Sequence, residues 1–339
     1  MATIANGALT LADWAKRLDP KGTIPDVAEL LSQSNEILED IVMKEGNLPT
    51  GHRVVIRTGL PTVYFRMINA GVPTSKSTTA QVDESCGMME ARSHIDTKLA
   101  SLNGNTAAFR LSEDTPFLEA MNQTMADTLF YGNVSVDPKT FTGLATRYSS
   151  LSAGNAQNII DAGGASTDNT SVYFVVWGEE TVFGIFPKGS QAGLQHRDLG
   201  EESVQDSSSN WYQALRTLYQ WDMGLVVKDW RYVVRICNVD ISDLVALTGT
   251  QASTAATELV KVMTRAIDRI PNVNMGRGAF YANRTVCSHL RIQALQKSNT
   301  VLSIEDATNQ FGKPGKELRF QGYPVRKSDR LLNTEARVT

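Results

Sequence analysis

TPFLEAMNQTMADTLFYGN, residues 115–133, runs directly into VSVDPKTFTGLATRY, residues 134–148, joining one long amphipathic segment to a stiff turn. Thr115 has the chemistry of an N-cap and Pro116 suits the first helical position. Glu113, Asp114 and Glu119 place negative charge at the positive end of the helix dipole. Phe117, Met121, Met125 and Leu129 recur every four residues, and Leu118 widens the stripe. Gly132 stands where a left-handed terminating residue is wanted. The pattern predicts a helix over 116–131, of about five turns, with an apolar face that must pack on something.

Outward from this helix the amino-terminal side divides in two. Residues 1–48 offer helical candidates at Leu9–Leu18 and Pro25–Leu38, separated by the breaker DPKGTIP. Val27, Leu30, Leu31, Ile37 and Leu38 give the second an apolar stripe, but an arm this short has no core of its own. From about Gly51 to Asp96 the pattern turns to β. Val54, Val55 and Ile56 form one run and TVYFRM, 62–67, a second, with Gly59–Pro61 between them. INAGVPTSKSTTAQVDES, 68–85, then reads as a long projecting loop. A lone two-stranded hairpin is marginal in water, so a second chain is the expected support.

On the carboxy-terminal side, LSAGNAQNIIDAGGASTDN, 151–169, is a Gly/Ser/Asn-rich linker. SVYFVVW and TVFGIF, separated by Gly178–Glu180, carry a hairpin signal. LVVKDWRYVVRICNVD predicts another strand pair turning at Lys228 and Asp229. Leu259, Met263, Ala266 and Ile270 define a helix from Ser253 or Thr254 that stops before Pro271. Asn283 caps a last helix striped by Val286, Leu290 and Ala294. RGAFYAN, 277–283, reads as a short buried strand, and Gly322–Val325 as an edge strand where Pro324 is tolerated.

The 339 residues exceed one ordinary core, so two lobes or one lobe with long extensions are expected. The 33 basic and 36 acidic residues give net −3, with no block of like charge. Tight nucleic-acid binding calls for a concentrated basic face, and none is visible. Cys86, Cys237 and Cys287 are odd in number and far apart, which argues against a disulfide framework and for a reducing compartment. MATIANGALTLADW lacks the basic and apolar regions of a signal peptide, and no apolar string reaches the ~20 residues of a membrane span. A soluble protein is expected, with no membrane partner.

The search for chemistry is negative at each step. His52, His94, His196 and His289 are scattered, and Cys287 with His289 reads as helix surface and helix core. His94 near Asp96 reads as a solvated pair. NMGRGAF, 274–280, lacks the third glycine of a dinucleotide fingerprint, and no Walker loop or GxSxG elbow is present. DAGGASTDN, 161–169, lacks the bidentate Glu of a calcium loop. Trp211, Tyr212, Tyr219, Trp221, Trp230 and Tyr232 are expected to cluster as packing or interface residues. No catalytic, cofactor-binding or metal residue is expected, and no cofactor.

FYGN leading through DPKTF into GLATRY resembles the spine helix and following Gly-Leu turn of tailed-bacteriophage major capsid proteins. The polar hairpin at 51–96 falls where that family's extended loop precedes the helix. VYFVVWGEETVFGIFPKGSQAGLQHRDLG with DWRYVVRICNVD is similar to β-rich segments of short-tailed (podovirus) capsid proteins. RGAFYANRTVCSHLRIQAL with FQGYPVRKSDRLL resembles the axial-domain strand, helix and Gly-x-Pro-Val strand. The resemblance implies an α+β capsid fold with arm, extended loop, spine helix, and peripheral and axial domains. Gly322–Val325 lies later than in the commoner order, which implies a permuted connection between lobes. On this resemblance 1–48 is the arm and 49–98 the extended loop. Residues 99–145 and 210–240 are then the peripheral domain, and 146–209 with 241–339 the axial domain and β-rich insertions.

The implied function is self-assembly into pentamers and hexamers of an icosahedral head enclosing double-stranded DNA. Implied partners are other copies of the chain, a portal, a separate scaffolding protein, a decoration protein, and packaged DNA lying non-specifically near the wall. Assembly is expected in the host bacterial cytoplasm and residence in the virion capsid. Some relatives cross-link their extended loop, but Lys76 has no nameable partner and reads as a solvated lysine. A bacterial nanocompartment shell of the same fold, a soluble enzyme with an unrecognised site, and a tail-tube or fibre protein are the competing readings.

Overall fold

The computed structural model describes residues 33–102, 106–206, 208–245, 250–294, 302–308 and 314–339. The candidate helix Leu9–Leu18, and Pro25–Leu38 up to residue 32, lie outside them. In chain order the elements begin with α1 (Ile37–Asp40), β1 (Met43–Glu45), β2 (Gly51–Gly59), β3 (Thr78–Ser85) and β4 (Gly87–Asp96). Next come α2 (Thr97–Ser101), α3 (Thr106–Tyr131), α4 (Leu144–Arg147), β5 (Ile159–Asp161), β6 (Asn169–Trp177), β7 (Val182–Phe186), β8 (Leu194–Gln205) and β9 (Trp211–Val227). The chain continues with β10 (Val233–Asp240), α5 (Ile241–Val245), α6 (Thr250–Asp268), β11 (Arg277–Ala282), α7 (Arg284–Ala294), β12 (Leu302–Thr308), β13 (Pro314–Phe320) and β14 (Tyr323–Lys327). No helix among the described residues is long and apolar enough to cross a membrane.

The chain divides into two units. The described part of the first centres on Met88–Met125 and Gly193–Asp222; the second comprises Asn35–Gly87, Ala126–Ala192 and Met223–Thr339. The helix α3 and the strand β9 each run from one unit into the other.

In the first unit, β8 pairs antiparallel with β9 over Leu194↔Trp221 to Gln205↔Trp211. Ile95, Ala100 and Phe109 are buried together, with Leu215 packed against them. That small core explains why α3 begins at Thr106 and not at Thr115, since packing Phe109 rewards the extra turns. Thr115 is consequently a helix-interior hydroxyl, its Oγ1 donating to the Leu111 carbonyl at 2.9 Å, and Pro116 lies within the helix. Met121, Met125 and Leu129 are buried as their spacing predicts, whereas Leu118 is exposed. Polar ties complete the unit. Arg110 grips Asp198 through both terminal nitrogens at 2.8 and 3.1 Å and also reaches Thr217.

The second unit is built around β6, every residue of which is buried. Its neighbours β10 and β11 are both antiparallel to it. Beyond β11 follow β14, parallel, then β13 and β12, antiparallel. Both edges of β6 are therefore occupied along most of its length, which is why the expected hairpin with TVFGIF does not form. Only Trp177↔Val182 links β6 to β7, in parallel, and β7 instead pairs with β1 and with the end of β9. The strand pair expected to turn at Lys228 and Asp229 is likewise replaced. Asp229 caps a short 3-10 turn over Trp230–Tyr232, sending β9 to β7 and β10 to β6.

The carboxy-terminal expectations fare better. Leu259, Met263 and Ala266 are buried along α6, and Ile270 just beyond its end. The Asn283 side chain accepts the Thr285 N–H at 3.0 Å at the start of α7. β14 is an interior strand and not an edge. Pro324 is tolerated because it sits at the hairpin end of a two-pair ladder with β13, before pairing with β11 begins at Val325. Gln321 and Gly322 both have positive φ, the geometry of a tight two-residue hairpin turn.

Candidate assembly surface

In the second unit, β2 and β3 form a two-stranded ladder of their own, from Gly51↔Ser85 to Gly59↔Thr78. TVYFRM is not a strand, for it finds no partner backbone among the described residues; residues 60–77 instead make the tip of the hairpin. There Leu60, Val63, Phe65 and Ile68 are 82%, 89%, 107% and 92% exposed, and Met67 is nearly as open. An isolated subunit rarely carries so much contiguous apolar surface without a partner to cover it. The tip makes few internal ties, among them Ser75 Oγ to the Thr62 carbonyl at 2.7 Å.

The foot of the hairpin is anchored where its tip is not. Val54 is buried with Phe183, Ile185 and Val226, and Ile56 and Cys86 pack against them. Glu84 receives both terminal nitrogens of Arg147 at 2.6 Å, and Arg147 also donates to the carbonyls of Thr142 and Leu225. Arg147 belongs to GLATRY, so the turn after the long helix holds the base of the extended hairpin. Two glycines shape that turn. Gly132 is not left-handed: its N–H continues the helix to Thr128, and a Cβ there would overlap the Phe141 carbonyl. A Cβ on Gly143 would lie 2.6 Å from the Thr128 carbonyl and 2.8 Å from the Gly132 nitrogen. Tyr148 closes the motif, buried and donating to the Trp230 carbonyl at 2.7 Å. Burial holds its phenol well above the usual range.

One buried polar cluster and one partly buried one lock the rest of this unit. Arg235, in the middle of β10, donates to Glu335 at 2.8 Å and to the Tyr148 carbonyl at 2.8 Å. Glu335 also accepts from Tyr131 Oη at 2.5 Å and from Ser171. Both members of the ion pair are nearly inaccessible. Near β11, Trp177 Nε1 donates to Tyr281 Oη, which donates to Asp40; Arg326 joins Asp40, Glu36 and Glu317. This second cluster pins the segment that leads into β1. Sequence reading missed both, although a lone Arg inside the apolar run VVRICNV is the kind of residue that stays buried only when paired.

The residues weighed for chemistry do not converge. His52 packs on Phe183, His196 on Tyr219 and His289 on Gln293. Among the described residues no three His, Cys, Asp or Glu side chains are grouped to hold a metal. Burial pushes the Cys237 thiol up to about 11 and the Cys287 thiol to about 12, so neither supplies a thiolate at neutral pH. The aromatic residues expected to cluster are instead strung along β9 and the turn after it. Tyr219 and Tyr232 are buried while Trp211 is exposed.

This architecture has known counterparts. A chain of the cryo-EM structure of bacteriophage Epsilon15, a podovirus, matches at 30% identity over 100% of both chains, with a TM-score of 0.74. The capsid of bacteriophage JBD30 matches more distantly, at 8% identity over 89% of this chain and 93% of that one, with a TM-score of 0.47. The SrpI encapsulin of Synechococcus elongatus reaches 0.42 at 11% identity, over 68% of this chain and 96% of that one. No curated protein sequence is significantly similar. The family model described as major capsid protein GP7 matches residues 19–339. The chain therefore belongs to the major capsid protein GP7 family and is a structural, self-assembling protein of an icosahedral phage capsid.

Proposed function

We propose that copies of this chain form pentamers and hexamers around double-stranded DNA, and that the tip of the β2–β3 hairpin seals one copy against the next. The observation that carries the reading is the exposed apolar run at 60–72 on a hairpin anchored only at its foot. In a closed symmetric shell the same patch repeats on every subunit, so a modest contact is multiplied around each ring and between rings. Residues 49–98 serve as the extended loop, 1–48 as the arm, 99–145 with 210–240 as the peripheral domain, and the remainder as the axial domain with its β-rich insertions. The function needs no catalysis, cofactor or metal. A portal and a separate scaffolding protein complete assembly in the host cytoplasm, a decoration protein is a further partner of the outer wall, and DNA meets the wall without sequence preference. The balanced charge suits that last role, because a container that gripped its cargo would impede packing.

Gly59 and Thr78 are paired, so residues 60–77 can be replaced by the two-residue turn Asn-Gly without opening the ladder. The shortened chain is expected to fold and remain unassembled when examined by negative-stain electron microscopy beside the wild type. Normal shells from the shortened chain would refute the role of the tip.

A further inference from the structure

The foot of the hairpin holds a device that shell formation does not explain. His52 lies edge-on to the Phe183 ring, with centroids 5.6 Å apart and planes at 86°. Its Nδ1 receives the backbone N–H of Asn47 at 3.3 Å. A backbone N–H can only donate, so Nδ1 is an acceptor and His52 is neutral in the seated hairpin. Asn47 in turn clasps the next residue of β2. Its side chain accepts the Arg53 N–H at 2.7 Å and donates to the Arg53 carbonyl at 2.9 Å. The imidazole thus closes a small ring of contacts between the 46–50 turn, β2 and Phe183 of β7.

We propose that this foot is a proton-operated hinge: neutral His52 seats the hairpin on β7, and protonation of His52 unseats it. A proton on Nδ1 would face the Asn47 N–H head-on and remove its acceptor. It would also add a cation to a place already rich in them. Lys44 of β1 lies over the same Phe183 ring at 5.7 Å, and Lys228, following β9, also repels it. Arg147 stands behind Glu84, the residue opposite His52 in the ladder. The carboxylates facing this region are engaged: Glu84 by Arg147, Glu179 by Lys44, Glu180 by Lys228, while Glu45 accepts the Gly189 N–H. None is left to welcome an imidazolium.

Burial first, then Lys44 and Lys228, holds the His52 pKa below the ordinary imidazole value. For a base whose pKa is depressed in the seated state, seating is strongest above the free value and weakens as pH falls below it. Each unit of displacement is worth about tenfold in the equilibrium.

Hydrogen exchange of the full-length unassembled chain tests this at about pH 8 and about pH 5.5, on either side of the ordinary histidine range. Peptides from 51–59 and 78–85 are read against β6, after correction for the intrinsic pH dependence of exchange. Wild type should lose protection at the foot on acidification, with β6 unchanged, whereas H52F, which keeps an aromatic ring on Phe183, should show no such loss. Equal loss in both proteins, or none in wild type, overturns the proposal. If H52F does not fold, K44M decides: without that cation protonated His52 is better tolerated in the seated foot, so the loss of protection on acidification should shrink, and an undiminished loss contradicts the hinge.

Discussion

Arg235 and Glu335 show what single residues contribute. The guanidinium sits in a mostly apolar strand and is engaged by one carboxylate, one hydroxyl and two carbonyls. Replacing both members by apolar residues of similar size is often neutral, but removing one strands the other in a low-dielectric interior. R235M and E335Q should each lower the stability of this unit by about 3 kcal/mol, read from the urea midpoint at constant slope. An effect below about 1 kcal/mol, the range of exposed pairs, would mean that water reaches the cluster. Arg53–Asp83 on the open hairpin is the contrast. Its geometry is as good, at 2.6 and 2.7 Å, yet both side chains are about half exposed and the pair adds little to stability.

At the scale of elements, the long helix and its turn were the most readable part of the chain, and they also show where reading stops. The four-residue spacing of Met121, Met125 and Leu129 named the buried face correctly, because helix geometry is local. The helix start was misplaced, since Thr115 and Pro116 imitate a cap while the contact that extends the helix, Phe109 on Ile95, spans fourteen residues of sequence. Gly132 was expected for its backbone freedom and is needed instead for close approach. Gly143 makes the same demand more strongly. G143A should drive the turn apart or strain the helix end, costing about 1–3 kcal/mol, visible as a lower melting temperature. An unchanged melting temperature would show that the turn relaxes freely.

TVYFRM is the instructive failure among the strands. Its composition is that of a strand, but a strand exists only by pairing, and the described residues offer it no partner. The hairpin expected around Gly178 failed because β6 already has two neighbours, and that expected at Lys228–Asp229 because β10 is already flanked by β5 and β6. Chain proximity favours a hairpin only while an edge is free.

For the whole molecule, stability and assembly are separable. The core of the second unit lies along β6, β10 and β11, far along the sequence from the exposed tip. F65D should therefore leave subunit stability within about 0.5 kcal/mol, as surface substitutions do, and should suppress shell formation in light scattering and electron microscopy. Loss of subunit stability with F65D would place Phe65 in the fold and not on an assembly surface.

The sequence by itself determined the helix face, the strand at β6, the buried strand β11, the cap at Asn283, and, through the ordered resemblance of four segments, the capsid fold. These are local periodicities or family patterns written directly in residue order. Only the tertiary structure decided which strands pair, which glycines serve close contact, that Arg147 holds Glu84, and that Arg235 is matched by Glu335. Each of those joins residues distant in sequence, and their energy comes from the exclusion of water between surfaces that meet only after the chain has folded.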